Sequence, residues 1–217
     1  MQYSARPREG GDPVSKKEKL DSRFHGNDRS VEPAYASQAA FRALMDCMAR
    51  PGDVRSPGGV EAPAPFAPAT AALIKSLADY ETPLWLDPAF AAEPKVADWI
   101  RFHAAAPVTR EPGEAAFALI ADARALPDFA QFAQGTAEYP DRSTTLLVQV
   151  DGFTGAPLTL RGPGVKTTRD FAASPLPADF TARVAANRAL FPRGVDIVLV
   201  AGRDIAALPR SVTIVER

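Results

Sequence analysis

The stretch "VDIVLVAG", residues 195–202, carries a single polar side chain, Asp196, among eight residues. A strand with one face in water alternates apolar and polar residues, whereas a continuous apolar run belongs to a strand covered on both faces. Shorter runs of the same kind occur in "TPLWL", "AAFALIAD" and "STTLLVQVD". Amphipathic segments lie between them. In "SQAAFRALMDCMARPG", Phe41, Leu44, Met45 and Met48 recur at i, i+3, i+4 and i+7. Ser37 is the expected N-cap of that helix, and Pro51-Gly52 its stop. Residues 66–80 place Leu73, Leu77 and Tyr80 on one face, and Pro94 opens a helix whose Val96, Trp99, Ile100 and His103 share another. Residues 177–190 read as a further helix, and 126–133 as a short one ended by Gly135. "STTLLVQVD" and "PLTLRG", joined by "GFTGA", read as a hairpin, and "SVTIVE" after Pro209 as a last strand. The fold class expected is therefore α/β, a three-layer α/β/α domain with a mixed sheet.

The chain has 217 residues, enough for one domain with a sizeable core. Residues 1–33 carry seven Lys/Arg and six Asp/Glu among few apolar side chains, and are expected to be a disordered extension. "RPREGGDP" and "DSRFHGND" within it resemble translated intergenic repeat, so a start miscalled upstream of the domain at 34–217 is expected. That domain holds 18 basic and 20 acidic residues, a balance of −2 that argues against nucleic-acid binding. The N-terminal "MQYSARPREGGDP" has no apolar signal region, and no run approaches the roughly 18 apolar residues of a membrane span. A cytoplasmic protein without membrane contact is expected.

Few chemistries fit the residues present. With one cysteine, Cys47, and one histidine in the domain, His103, neither a metal centre nor a cysteine-held iron–sulfur cluster is expected. Both lie on amphipathic helices, where structural roles are the commoner ones. There is no G-x-S-x-G elbow and no Walker A or G-x-G-x-x-G motif. The lysines of the domain, Lys75, Lys95 and Lys166, follow no buried strand as a Schiff-base lysine would. One stretch stands apart, "LTLRGPGVKTTR". Its Arg161, Gly162, Gly164 and Lys166 are candidates for phosphate binding, since glycines free backbone N–H groups and cations stand close by. Pro163 removes one donor from the loop, and a turn at a strand end has the same composition.

Six ordered blocks carry a resemblance: "FRALMDCMARPG", "LADYETPLWL", "WIRFHAAAPV", "GTAEYPDRSTTLLVQV", "LRGPGV" and "FPRGVDIVLVAGRDIAALPRSV". Over residues 37–215 the chain resembles the PhnH family, the H subunit of the carbon–phosphorus lyase core complex in bacterial phosphonate catabolism. The resemblance implies the fold of the large domain of pyridoxal-phosphate-dependent transferases without the cofactor, and no cofactor of another kind. It implies a homodimer joined to G, I and J subunits. It implies a part in forming α-D-ribose 1-methylphosphonate 5-triphosphate from ATP and methylphosphonate, and it carries no catalytic residue onto this chain. A structural subunit and a direct contributor to a phosphonate–nucleotide site are both compatible with it.

Overall fold

The computed structural model describes Met1 and residues 31–215, with residues 31–33 as backbone only. The extension expected over 1–33 lies outside the described residues for all but Met1 and these three, which already belong to the first helix. That helix, α1, runs Val31–Ala49, so it starts six residues before Ser37.

The order is α1, α2 (Pro68–Leu77), β1 (Leu84–Leu86), α3 (Pro88–Ala91), α4 (Pro94–His103), β2 (Val108–Thr109), β3 (Phe117–Ile120), β4 (Thr145–Gln149), β5 (Leu158–Arg161), β6 (Arg169–Phe171), α5 (Phe180–Ala189), β7 (Asp196–Ala201), β8 (Asp204–Leu208) and β9 (Thr213–Val215). Proline opens α2, α3 and α4 at the position where its missing N–H costs nothing. Asp87 caps α3 by accepting the Phe90 N–H at 2.9 Å. The short helix expected over 126–133 is instead a 3-10 turn, Phe129–Gln131, preceded by another at Ala123–Ala125, each led by an aspartate that accepts a backbone N–H.

A six-stranded sheet runs β2-β1-β3-β4-β7-β8, parallel except for β8, which returns antiparallel along β7. Alternate residues divide its faces. Leu84, Leu86, Leu119, Leu147, Val198 and Val200 meet α1, α2 and α4 in one core. Ala118, Ile120, Leu146, Val148, Ile197 and Leu199 face the other core, with Phe180 and Val184 of α5. The continuous apolar runs are thus buried on both faces, as their composition requires.

The second outer layer departs from a plain helical one. It combines α5 with a three-stranded antiparallel sheet, β6-β5-β9. The hairpin expected between "STTLLVQVD" and "PLTLRG" does not form. β4 is taken on both sides by the parallel strands β3 and β7, so β5 pairs with β6 and β9 in the smaller sheet.

Candidate functional site

The loop after β5 is built by its neighbours. Gly162 (φ +146°) and Gly164 (φ +79°) bring the chain into close contact with other backbone. A Cβ at Gly164 would overlap the carbonyl oxygen of Ala49 at the end of α1, and one at Gly162 would lie 2.9 Å from the Ser211 carbonyl. Arg169, at the start of β6, fixes the same junction. Its guanidinium donates to the Pro51 carbonyl at 3.4 Å and pairs with Asp53, whose other oxygen takes Arg55 at 2.8 Å. The blocks "MARPGD" and "LRGPGVKTTR" therefore form one contact between α1 and the small sheet.

Arg161 and Lys166 stay exposed, and neither side chain has a hydrogen-bonding or ion-pair partner among the described residues. With Gly162, Val165, Thr167 and Thr168 they line an open cavity of about 500 Å³. Of the four candidates, Arg161, Gly162 and Lys166 thus share one cavity wall, whereas Gly164 is absent from the lining and packs on α1.

A second concentration of polar groups lies at the carboxyl ends of the parallel strands, where open α/β sheets hold ligands beside the reversal of strand order. Here the chain leaves β1 toward β2 at one edge, then crosses back to β3 on the other side. Asp87, 2% exposed, bridges the two ends by accepting the Phe90 and Ala121 N–H groups. At the end of β4, the Gln149 carboxamide is satisfied on every side. Its oxygen accepts from the Ala67 N–H and the Thr70 hydroxyl, and its nitrogen donates to the carbonyls of Pro65 and Ala121. An open cleft of about 260 Å³ above it is lined by Asp122, Arg124 and Asp151 with the 65–67 backbone. The Arg124 guanidinium spans the mouth, 3.1 Å from Asp122 and 3.1 Å from Asp151. The backbone N–H of Arg124, and then its guanidinium, hold the Asp122 carboxyl below the usual carboxylate range. Nothing in the sequence reading pointed to this cleft. The available signal was an acidic residue immediately following two separate apolar runs, "ALIAD" and "LLVQVD".

Cys47 and His103 pack against neighbouring groups. Cys47 is fully buried with its thiol against the Ile205 carbonyl at 3.6 Å, and burial pushes its pKa up to about 11. The His103 ring lies tilted against Trp99 at 4.5 Å and edge-on to Phe102 at 4.9 Å, and burial, aided by the Lys75 charge, lowers its pKa. Lys95 stands at the start of α4 and Lys75 in the last turns of α2. Among the described residues no group of three or more His, Cys, Asp or Glu is placed to hold a metal, and no helix is long and apolar enough to cross a membrane.

Comparison with known proteins places this architecture. Residues 30–215 match the family model described as bacterial phosphonate metabolism protein, PhnH. A protein of Rhizobium meliloti (strain 1021), named alpha-D-ribose 1-methylphosphonate 5-triphosphate synthase subunit PhnH, is 45% identical over 183 residues, covering 83% of this chain and 91% of that one. A second relative, the putative C-P lyase subunit protein HtxG of Stutzerimonas stutzeri, is 33% identical over 78 residues, 36% of this chain and 40% of its own. The matched span runs from the start of α1 to the end of β9 and so takes in both sheets and both cores: the chain belongs to the PhnH family of bacterial phosphonate metabolism proteins.

Proposed function

We propose that the chain is a subunit of an α-D-ribose 1-methylphosphonate 5-triphosphate synthase working within a carbon–phosphorus lyase complex, and that it completes the assembly rather than catalysing alone. The observation that carries this is 45% identity along 91% of the relative that bears the synthase name. In that reaction a phosphonate oxygen forms a bond to C1 of the ATP ribose while the bond from C1 to adenine breaks, and adenine leaves with a proton. In this reading the chain acts in the cytoplasm, as a homodimer docked to G, I and J subunits, with no cofactor of its own. Its six-stranded mixed sheet supports a likeness to the large domain of pyridoxal-phosphate-dependent transferases.

A structural role agrees with a loop whose glycines serve contact between α1 and the small sheet. One observation favours a more direct role. Arg161 and Lys166, cations without partners among the described residues, face one open cavity, as a triphosphate or phosphonate site would require. The test is phosphorus NMR of the reconstituted complex supplied with ATP and methylphosphonate. The complex lacking this chain should form no ribose 1-methylphosphonate 5-triphosphate, and adding the full chain should restore it. Undiminished product formation without the chain would overturn the proposal.

A further inference from the structure

Between α1, α2 and the loop "SPGG" (residues 56–59) lies a cavity of about 270 Å³. Its walls are small and apolar: Ala36 and Ala39 from α1, Ala72 from α2, and Val60. Its polar groups gather along the loop. Gly58, at φ +85°, has open space where a Cβ would stand, and the N–H groups of Gly58 and Gly59 donate to no group among the described residues. Successive amides with no protein acceptor are the kind of donor an anion site uses.

Charge converges on the same loop. Lys75 lines the cavity from α2 and makes no ion pair among the described residues. Arg203, at the β7–β8 turn, lies so close to Gly59 that a Cβ there would be 2.6 Å from its Nη1. Its guanidinium likewise has no acidic partner among the described residues. The turn is tied to the loop by the Ser56 hydroxyl, which donates to the Arg203 carbonyl at 2.9 Å. Lys75, Ser37 and the Gly58–Gly59 loop thus line a space they share with alanine side chains, and Arg203 stands beside Gly59 outside that lining.

We infer that this cavity binds a tetrahedral phosphorus oxyanion carrying a small organic group. The amides of Gly58 and Gly59 and the Lys75 ammonium take the oxygens, Arg203 adds positive potential, and the alanine methyls receive the substituent. The shared chemistry is met by a free alkylphosphonate and by the terminal phosphate of a nucleotide. The choice of phosphorus rests on the subunit reading above, whereas the cavity's own groups require only a small oxyanion with an apolar substituent.

The experiment is calorimetric titration of the full chain with methylphosphonate, inorganic phosphate and ATP, on wild type and on Lys75→Gln, Arg203→Gln, Ala39→Leu and the Arg161→Gln/Lys166→Gln double variant. Methylphosphonate should bind more tightly than inorganic phosphate, because only it fills the apolar wall; ATP binding more tightly than both identifies the nucleotide as the source. Lys75→Gln should weaken the preferred probe by about tenfold, the loss of one hydrogen bond to a charged group. Arg203→Gln should weaken it several-fold, and Ala39→Leu, on an exposed helix position, should block it without lowering the melting temperature. Binding that survives in the Arg161/Lys166 double variant belongs to this cavity and not to the loop after β5. No heat with any probe at millimolar concentration would overturn the inference, and so would an affinity unchanged by Lys75→Gln. Binding abolished by the Arg161/Lys166 double variant alone would move the anion to the other loop. Because the readout is binding to this chain by itself, a negative result leaves the subunit reading, tested by product formation, standing.

Discussion

Arg210 holds Asp196 by three bonds. Its backbone N–H reaches Oδ1 at 2.8 Å, Nε reaches the same oxygen at 3.2 Å, and Nη2 reaches Oδ2 at 2.5 Å. Both side chains are largely buried, 13% and 14% exposed. The same guanidinium donates to the Pro140 carbonyl and the Ser143 hydroxyl, so one arginine joins the start of β7 to the 140–143 loop.

Removing one partner of such a pair strands the other. Asp196→Ala should destabilise the fold by about 3–5 kcal/mol, the range for breaking a buried ion pair. Urea unfolding checks it; a loss under about 1 kcal/mol would show that water replaces the carboxylate.

Gly164 and Lys166 should separate cleanly. Gly164→Ala places a methyl on the Ala49 carbonyl at a positive φ, and should cost more than about 1 kcal/mol. Lys166→Ala, an exposed loop change, should leave the melting temperature within a degree or two. Equal stability of the two variants would contradict the contact between α1 and the loop.

Trp85, in the apolar run "TPLWL", is half-buried in β1, with its ring edge-on to Phe132 at 5.4 Å. Trp85→Ala should cost about 3 kcal/mol, the lower end of the range for a lost core aromatic, because part of the ring already meets solvent. A variant of native stability in thermal unfolding would refute the packing role.

The Cys47 thiol gives a pH dependence of definite sign. Its pKa rises from 9.0 to about 11 on folding, so the folded state keeps a proton that the unfolded chain releases. The stability this contributes is complete below about pH 9 and declines as the pH climbs toward 11. Urea midpoints at pH 8 and pH 10.5 should fall further for wild type than for Cys47→Ala. Identical falls would show that the thiol titrates normally.

What was legible in the sequence follows from the range of the contacts. α1, α2, α4 and the four central strands declare themselves by local periodicity or by continuous apolar runs. β8 did not, because "DIAAL" is alanine-rich and alanine has weak strand preference; what pins it is pairing along β7. The pairing of β5 was misread because a glycine-containing link after an apolar run looks like a hairpin, whereas β4 finds both partners elsewhere in the chain. Arg161, Gly162 and Lys166 could be grouped in advance since they are neighbours in sequence. Gly59 and Arg203, or Asp122 and Asp151, meet only through the fold.

The two ends of the large sheet bear on how this protein can meet others. At one end β2 contributes two residues, Val108 and Thr109. At the other, Ile205 of β8 exchanges both backbone hydrogen bonds with Arg55, at 2.9 and 2.7 Å, so part of that border is already paired. An incoming strand finds a ladder too short to extend at one border and partly filled at the other. Strand addition along the large sheet is thereby disfavoured at both of its borders, which guards against runaway pairing among copies of the chain.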